Sequence, residues 1–215
     1  MLFKKMTITL ALVSSCIPML LTGCAGVASQ FGKERPFNYT QATLPASAQS
    51  KAHQKVSVVV NDMRAGKVSP YLVSSYNVGD QPMNPVLSGS NLHYNATQPF
   101  ATIYQNALVS SLQQAGYDVT SGAGKTIEAD IQRTNSSRIP EGWNDGISTT
   151  IQSTILVKKG NSVVWQKTYT LTEQAARKAL STDASPLIFS LTNTVLNKLC
   201  VNLLSDPGFK KAMAS

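Results

Sequence analysis

Histidine is nearly absent from this 215-residue chain: only His53 and His93 occur. They do not pair at metal-ligand spacing, and a serine hydrolase would have only His93 as base, without a G-x-S-x-G elbow. Cysteine is almost as scarce, with Cys16, Cys24 and Cys200. No run of five or more like charges exists, and no aromatic and basic residues interleave, which argues against nucleic acid. The apolar stretch at residues 6–22 is interrupted by Ser14, Ser15 and Pro18. A spanning helix needs about 20 apolar residues and tolerates such breaks poorly.

What the N-terminus does contain is an export signal. Lys4 and Lys5 precede a short apolar core that ends in small residues, the pattern of a signal peptide. Leu21-Thr22-Gly23-Cys24 resembles the lipobox of bacterial lipoprotein precursors. A cysteine sulfur can carry a diacylglyceryl group, and Gly23 fits the peptidase that would cut before Cys24. Two or three acyl chains, at about 0.8 kcal/mol per buried methylene, anchor a protein effectively for good. Ala25 stands where aspartate would retain such a protein at the inner membrane, so the expectation is the outer membrane, facing the periplasm.

Loss of Lys4 and Lys5 lowers the net charge from +8 to +6. A scattered solubilising surface explains this balance better than an anionic-lipid site does. With Cys24 lipidated, Cys200 has no internal partner. Its neighbours Leu199, Val201 and Leu203 point to a buried, inert thiol.

Residues 1–23 therefore read as signal peptide and 24–54 as a lipidated flexible tether, rich in Ala, Ser, Gln and Thr, with Pro36 and Pro45. A flexible chain of that length spans roughly 30 Å on average and about 100 Å fully stretched. Residues 55–215 form one domain, long enough for a real core without disulfides.

Inside the domain, Val56, Val58 and Val60 mark one face of a strand. Residues 68–96 hold Pro70, Pro82, Pro85, Gly79 and Gly89, and predict an irregular hairpin. A helix follows: Thr97 is its expected cap, Pro99 suits its first turn, and Gly116 ends it. Phe100, Ile103, Tyr104, Ala107, Leu108 and Leu112 form its apolar stripe. Ile127, Ala129 and Ile131 alternate as a strand, residues 133–146 read as a loop, and a long strand runs from Ile147 to Val157. A turn at Lys159-Gly160-Asn161 leads into another strand. Ser185 and Pro186 open a last helix, and Asp206-Pro207-Gly208 stops it. The order predicts an α+β fold: a two-layer sandwich, mainly antiparallel, with two long helices on one face.

TSGAGKT at residues 120–126 imitates a phosphate loop. The required first glycine is replaced by Val119, and IEADIQ after Thr126 alternates as a strand rather than opening a helix. No nucleotide, cofactor or metal is expected. Asp62 and Arg64 fit a structural ion pair or turn cap better than a binding pair. Glu128 and Asp130 share a strand face, and Glu141 and Asp145 sit in the 133–146 segment, but sequence gives no cleft separation for carboxylate chemistry. Trp143 in PEGWNDG is a candidate partner contact or a loop anchor. Tyr76 and Tyr94 are further candidate partner contacts.

The succession LTGC, VSVVVNDMR, LVSSLQQAGYDV, TIEADIQ, ISTTIQSTILVKKGNSVVWQKTYT and LLSDPGF resembles the YajG family of small bacterial lipoproteins, over most of residues 56–209. The resemblance implies an envelope lipoprotein without an established activity. It carries over one site residue, the lipidation position Cys24. The expectation is a non-enzymatic outer-membrane lipoprotein that binds another envelope component, a protein or a lipid. The alternative, on analogy of architecture, is an auxiliary subunit of a lipid or lipopolysaccharide transport system.

Overall fold

The computed structural model describes residues 34–49, 53–66, 68–77, 91–141, 144–177 and 183–215. Among these residues it is an α+β fold in which one open mixed sheet of eight strands carries three α-helices. The strands are β1 (Glu34–Arg35), β2 (Lys55–Asp62), β3 (Leu72–Asn77), β4 (Asn91–Ala96), β5 (Asp118–Val119), β6 (Lys125–Glu141), β7 (Asn144–Lys159) and β8 (Ser162–Arg177). The helices are α1 (Phe100–Gln114), α2 (Ser185–Ser205) and α3 (Pro207–Ala214).

β6, β7 and β8 form a long antiparallel meander, as their alternating sequences require. The irregular hairpin is present as antiparallel β3 and β4. The other pairings are parallel. β2 runs beside residues 126–131 of β6, and β3 beside residues 135–137 of the same strand. Two short strands thus lie end to end along one edge of β6, while β7 occupies its other edge.

The 133–146 segment is not a loop. β6 continues to Glu141 and β7 begins at Asn144, paired from Arg138↔Ile147 out to Glu141↔Asn144. Inward positions here are hydroxyls rather than aliphatics. Ser74, Ser136 and Thr149 are buried and linked in a chain of 2.8 and 2.9 Å hydrogen bonds. Satisfied donors and acceptors let a polar segment sit against a core at little cost.

The helices bury one face of this sheet. Ile127, Ile131, Ile151 and Ile155 meet Phe100, Tyr104 and Leu108 of α1 and Val195, Leu199 and Leu203 of α2 in one core. α1 starts on Pro99 with no side-chain cap, so Thr97 does not have the role its sequence suggests. Gly116 adopts φ +98° and ends α1 as expected. Ala184 is the N-cap of α2, and Ser185 falls inside the first turn with its N–H donated to Asp183 Oδ1 at 3.0 Å.

Asp206 ends α2 but also opens α3, a helix the sequence reading missed. Its carboxylate accepts from Phe209 N at 3.0 Å and pairs with Lys167 Nζ at 2.6 Å. Burial works against this carboxylate, yet the hydrogen bonds from Lys167 and Phe209 hold it below its ordinary range. Its contribution is therefore full above the ordinary carboxylate range and fades as pH falls through the folded value. Asp206→Ala is expected to cost about 1–2 kcal/mol at neutral pH, as for other lost N-caps. Urea midpoints for the two proteins should converge in acid; an equal gap at both pH values would contradict the assignment.

Residues 34–49 are not a tether. Phe37, Leu44 and Ala48 are buried, and the Phe37 and Phe189 rings lie 5.0 Å apart. The segment has little regular structure, so side chains of α2 take up its backbone groups. Asn193 accepts from Thr40 N at 2.8 Å, and Asn197 from Ala42 N at 3.0 Å. Both asparagines donate back to Thr40 O at 3.0 Å. Their i, i+4 spacing puts them on one face of the helix, under the segment.

Candidate interaction surface

Since side chains alternate across a strand, the face of β6–β8 opposite the helices is set by the intervening residues. It carries Asp130, Gln132, Asn135 and Ser137 of β6, Ser148, Thr150, Gln152 and Thr154 of β7, and Thr168, Thr170, Thr172 and Gln174 of β8. Apart from Thr154, which is buried, these side chains are exposed or half-buried. Antiparallel sheets commonly leave one face to water in this way.

Many of these groups are already tied together. Thr154 bonds Thr168 at 2.7 Å, Thr150 bonds Thr172 at 2.8 Å, and Gln132 Nε2 donates to Thr154 Oγ1 at 2.9 Å. Gln152 Nε2 donates to Gln132 Oε1 at 3.1 Å. At one end Lys158 neutralises Glu128 at 2.6 Å, and the Asp130 carboxylate accepts from the Asn61 amide at 2.9 Å. The result is a mainly polar surface on which Gln132, Thr150, Gln152, Thr154, Thr168 and Thr172 are held by one another before anything binds. Side chains fixed in advance lose less entropy on association.

The other candidates have structural roles. Asp62 and Arg64 form the expected structural pair, with Nε on Oδ1 at 2.7 Å and Nη2 on Oδ2 at 2.6 Å. Arg64 Nη1 also donates to Leu72 O at 2.6 Å and Thr134 Oγ1 at 2.8 Å. The lysine of TSGAGKT does not await phosphate. Lys125 Nζ donates to Ala212 O at 3.3 Å and to Met213 O, the last carbonyls of α3. Desolvation lowers the Lys125 pKa, with a further lowering from Lys159. A cation at the carbonyl end of a helix is a common C-terminal cap.

Tyr76 and Tyr94 correct an expectation. They are 2% and 7% exposed, and their rings meet edge to face at 6.1 Å within the core. Neither ring is displayed to a partner, because the strand alternation that exposes Ser75 and His93 turns both tyrosines inward. His93 lies on the exposed side, with Nδ1 3.3 Å from Ser75 Oγ. Cys200 is buried, its thiol 3.7 Å from Ala107 O, and burial pushes its pKa up to about 11. A thiol so placed is a poor nucleophile. Gly23, Cys24 and Trp143 lie outside the described residues, as do the side chains of Glu141 and Asp145. The two-layer order already left one sheet face uncovered; what sequence reasoning missed was the residues that make up this face, for which the Thr and Gln at even positions of 166–174 were the signal.

A family model described as an uncharacterised lipoprotein, Lipoprotein_16, matches residues 40–214. The chain belongs to this family. That agrees with the YajG-type resemblance and makes the protein a lipoprotein, with a membrane-anchored place in the cell envelope. The lipoprotein is similar in fold to protein XCC0632 from Xanthomonas campestris, with TM-score 0.52 and 15% identity over 79% of this chain and 92% of that one. A minor lipoprotein from Acinetobacter baumannii also matches, with TM-score 0.42 and 8% identity over 74% and 94% of the two chains. No curated protein matches the sequence.

Proposed function

We propose that this lipoprotein is non-enzymatic, sits in the outer membrane facing the periplasm, and binds another envelope component through its open sheet face. The observation that carries the reading is that face: broad, mainly polar, and with a connected group of its hydroxyls and amides already ordered. Such a surface suits hydrogen-bonded recognition of a protein or glycan better than it suits an acyl chain. The docking of residues 34–49 adds a geometric constraint. Only residues 24–33 separate a lipidated Cys24 from the folded body, a reach of at most about 35 Å. The partner would therefore lie close to the membrane.

Two measurements test this. Replacing residues 1–24 with a cleavable signal peptide that supplies no cysteine should move the protein from the membrane fraction to the soluble periplasm, and Cys24→Ser should remove the acyl mass. Photoreactive residues at Gln132 and Gln152 should capture an envelope component in intact cells, while one at Ser190 on α2 should not. A chain freed of residues 1–24 that stays in the membrane, or a wild-type N-terminus without acyl mass, would refute the anchor. Equal capture from Ser190, or none from the sheet face, would refute the binding surface.

A further inference from the structure

β8 ends the sheet: among the described strands it pairs only with β7. A long unpaired edge offers a row of free backbone N–H and C=O groups, and proteins normally blunt it with charge, proline or a bulge. β8 has a bulge at its start, where the register shifts opposite Val157 and Lys158. From Trp165 to Ala175 it holds no proline, and its only charges are Lys167 and Glu173. Between them runs TYTLT, uncharged and rich in strand-forming residues.

The placement of those two charges is specific. Lys167 and Glu173 stand equally far from Thr170, on opposite sides of it and on the same face of the strand. An antiparallel second copy centred on Thr170 would set Lys167 of each chain opposite Glu173 of the other. On the open face Thr170 would meet itself, Thr168 would meet Thr172, and Gln166 would meet Gln174. On the helix face Tyr169 would meet Leu171, and Trp165 would meet Ala175. A shift of two residues in either direction breaks both charge pairs, and a parallel pairing places lysine against lysine. Lys167 is bridged to Asp206 and Glu173 to Lys198, with Lys167 half exposed and Glu173 less so. Across such an edge the charges would alternate: Asp206, Lys167, then Glu173 and Lys198 of the second copy.

We propose that the lipoprotein forms a two-fold dimer by antiparallel pairing of β8 with β8 of a second copy, in register about Thr170. The occupant is a second copy because the charge pattern is self-complementary, as an isologous interface requires. The pairing would join two sheets into one and remove the exposed edge from each. It uses the edge of the sheet and leaves the Gln132 and Gln152 region of the open face free.

The test is Thr170→Cys in the full lipidated chain. Directly opposed residues on antiparallel strands have Cβ atoms about 4.5–5.5 Å apart, close enough for a disulfide after slight adjustment. Mild oxidation should give a covalent dimer of twice the mass, whereas Gln132→Cys, two strands from the edge, should stay monomeric. Cys200 is 2% exposed and would not contribute. In a soluble chain lacking residues 1–24, Thr170→Lys opposes two like charges on the axis and should raise the dimer dissociation constant about fivefold by sedimentation velocity. A Thr170→Cys protein that stays monomeric, or that links to a different protein, would overturn the proposal. So would a Thr170→Lys change that leaves the dissociation constant where it was.

Discussion

Deleting residues 34–49 is expected to destabilise the domain by at least about 3 kcal/mol, and Phe37→Ala alone should reproduce most of that loss. The Phe37 ring is 4% exposed and packs on Phe189, so its removal leaves a cavity over α2 as well as a loss of transfer energy. Leu44 and Ala48 close the same surface, at 6% and 1% exposed. Without the segment, the Asn193 and Asn197 amides lose backbone partners on Thr40 and Ala42 and turn to water. Chemical denaturation of a soluble chain lacking residues 1–24, with and without the change, measures the effect. If both variants unfolded at the parent midpoint, residues 34–49 would be the tether that their composition suggests.

That segment shows why some of the fold could be read from the sequence and some could not. The meander and the two long helices announced themselves through alternation or 3.6-residue spacing, because most of their inward positions are apolar, whereas the hairpin showed only through its prolines and glycines. Ile127, Ala129 and Ile131 are one example, and Ile103, Tyr104 and Ala107 another. Residues 34–49 bury only three apolar side chains over an irregular path, so no period exists to detect. Residues 133–141 hide their strand for another reason: Thr134 and Ser136 face inward, and their hydroxyls are satisfied by Arg64, Ser74 and Thr149. A strand with polar residues on its buried side loses the contrast that pattern reading relies on. The α3 helix was missed because Asp206-Pro207-Gly208 reads equally well as an ending and as a beginning, and here it is both. The open face follows from placing both long helices on one side of the sheet, but the alternating Thr and Gln do not by themselves say which side chains there would be tied to one another.

Arg64→Ala is expected to cost about 3 kcal/mol, in the range found when one partner of a buried ion pair is removed. Its side chain is 4% exposed and sits where β2 ends and β3 begins, both lying along the same edge of β6. A gap between two end-to-end strands leaves backbone groups without ladder partners, and β6 bulges there between Ile131 and Arg133. The guanidinium fills this gap. It reaches Asp62 of β2, Leu72 O of β3 and Thr134 of β6, and its centre lies 5.4 Å from the Phe100 ring of α1. One planar fork thus joins three strands and a helix. Alanine would leave Leu72 O and Thr134 without their donor, while Asp62, 24% exposed, could recover part of its loss in water. Arg64→Lys keeps the charge but has neither the fork nor the five donors, so it should recover less than half of the difference. Guanidinium denaturation gives both values, and amide exchange should show the added opening concentrated at the β3 and β6 ends of the sheet. A change of less than about 1 kcal/mol for Arg64→Ala would put it among exposed ion pairs and remove its role as the joint between the two strands.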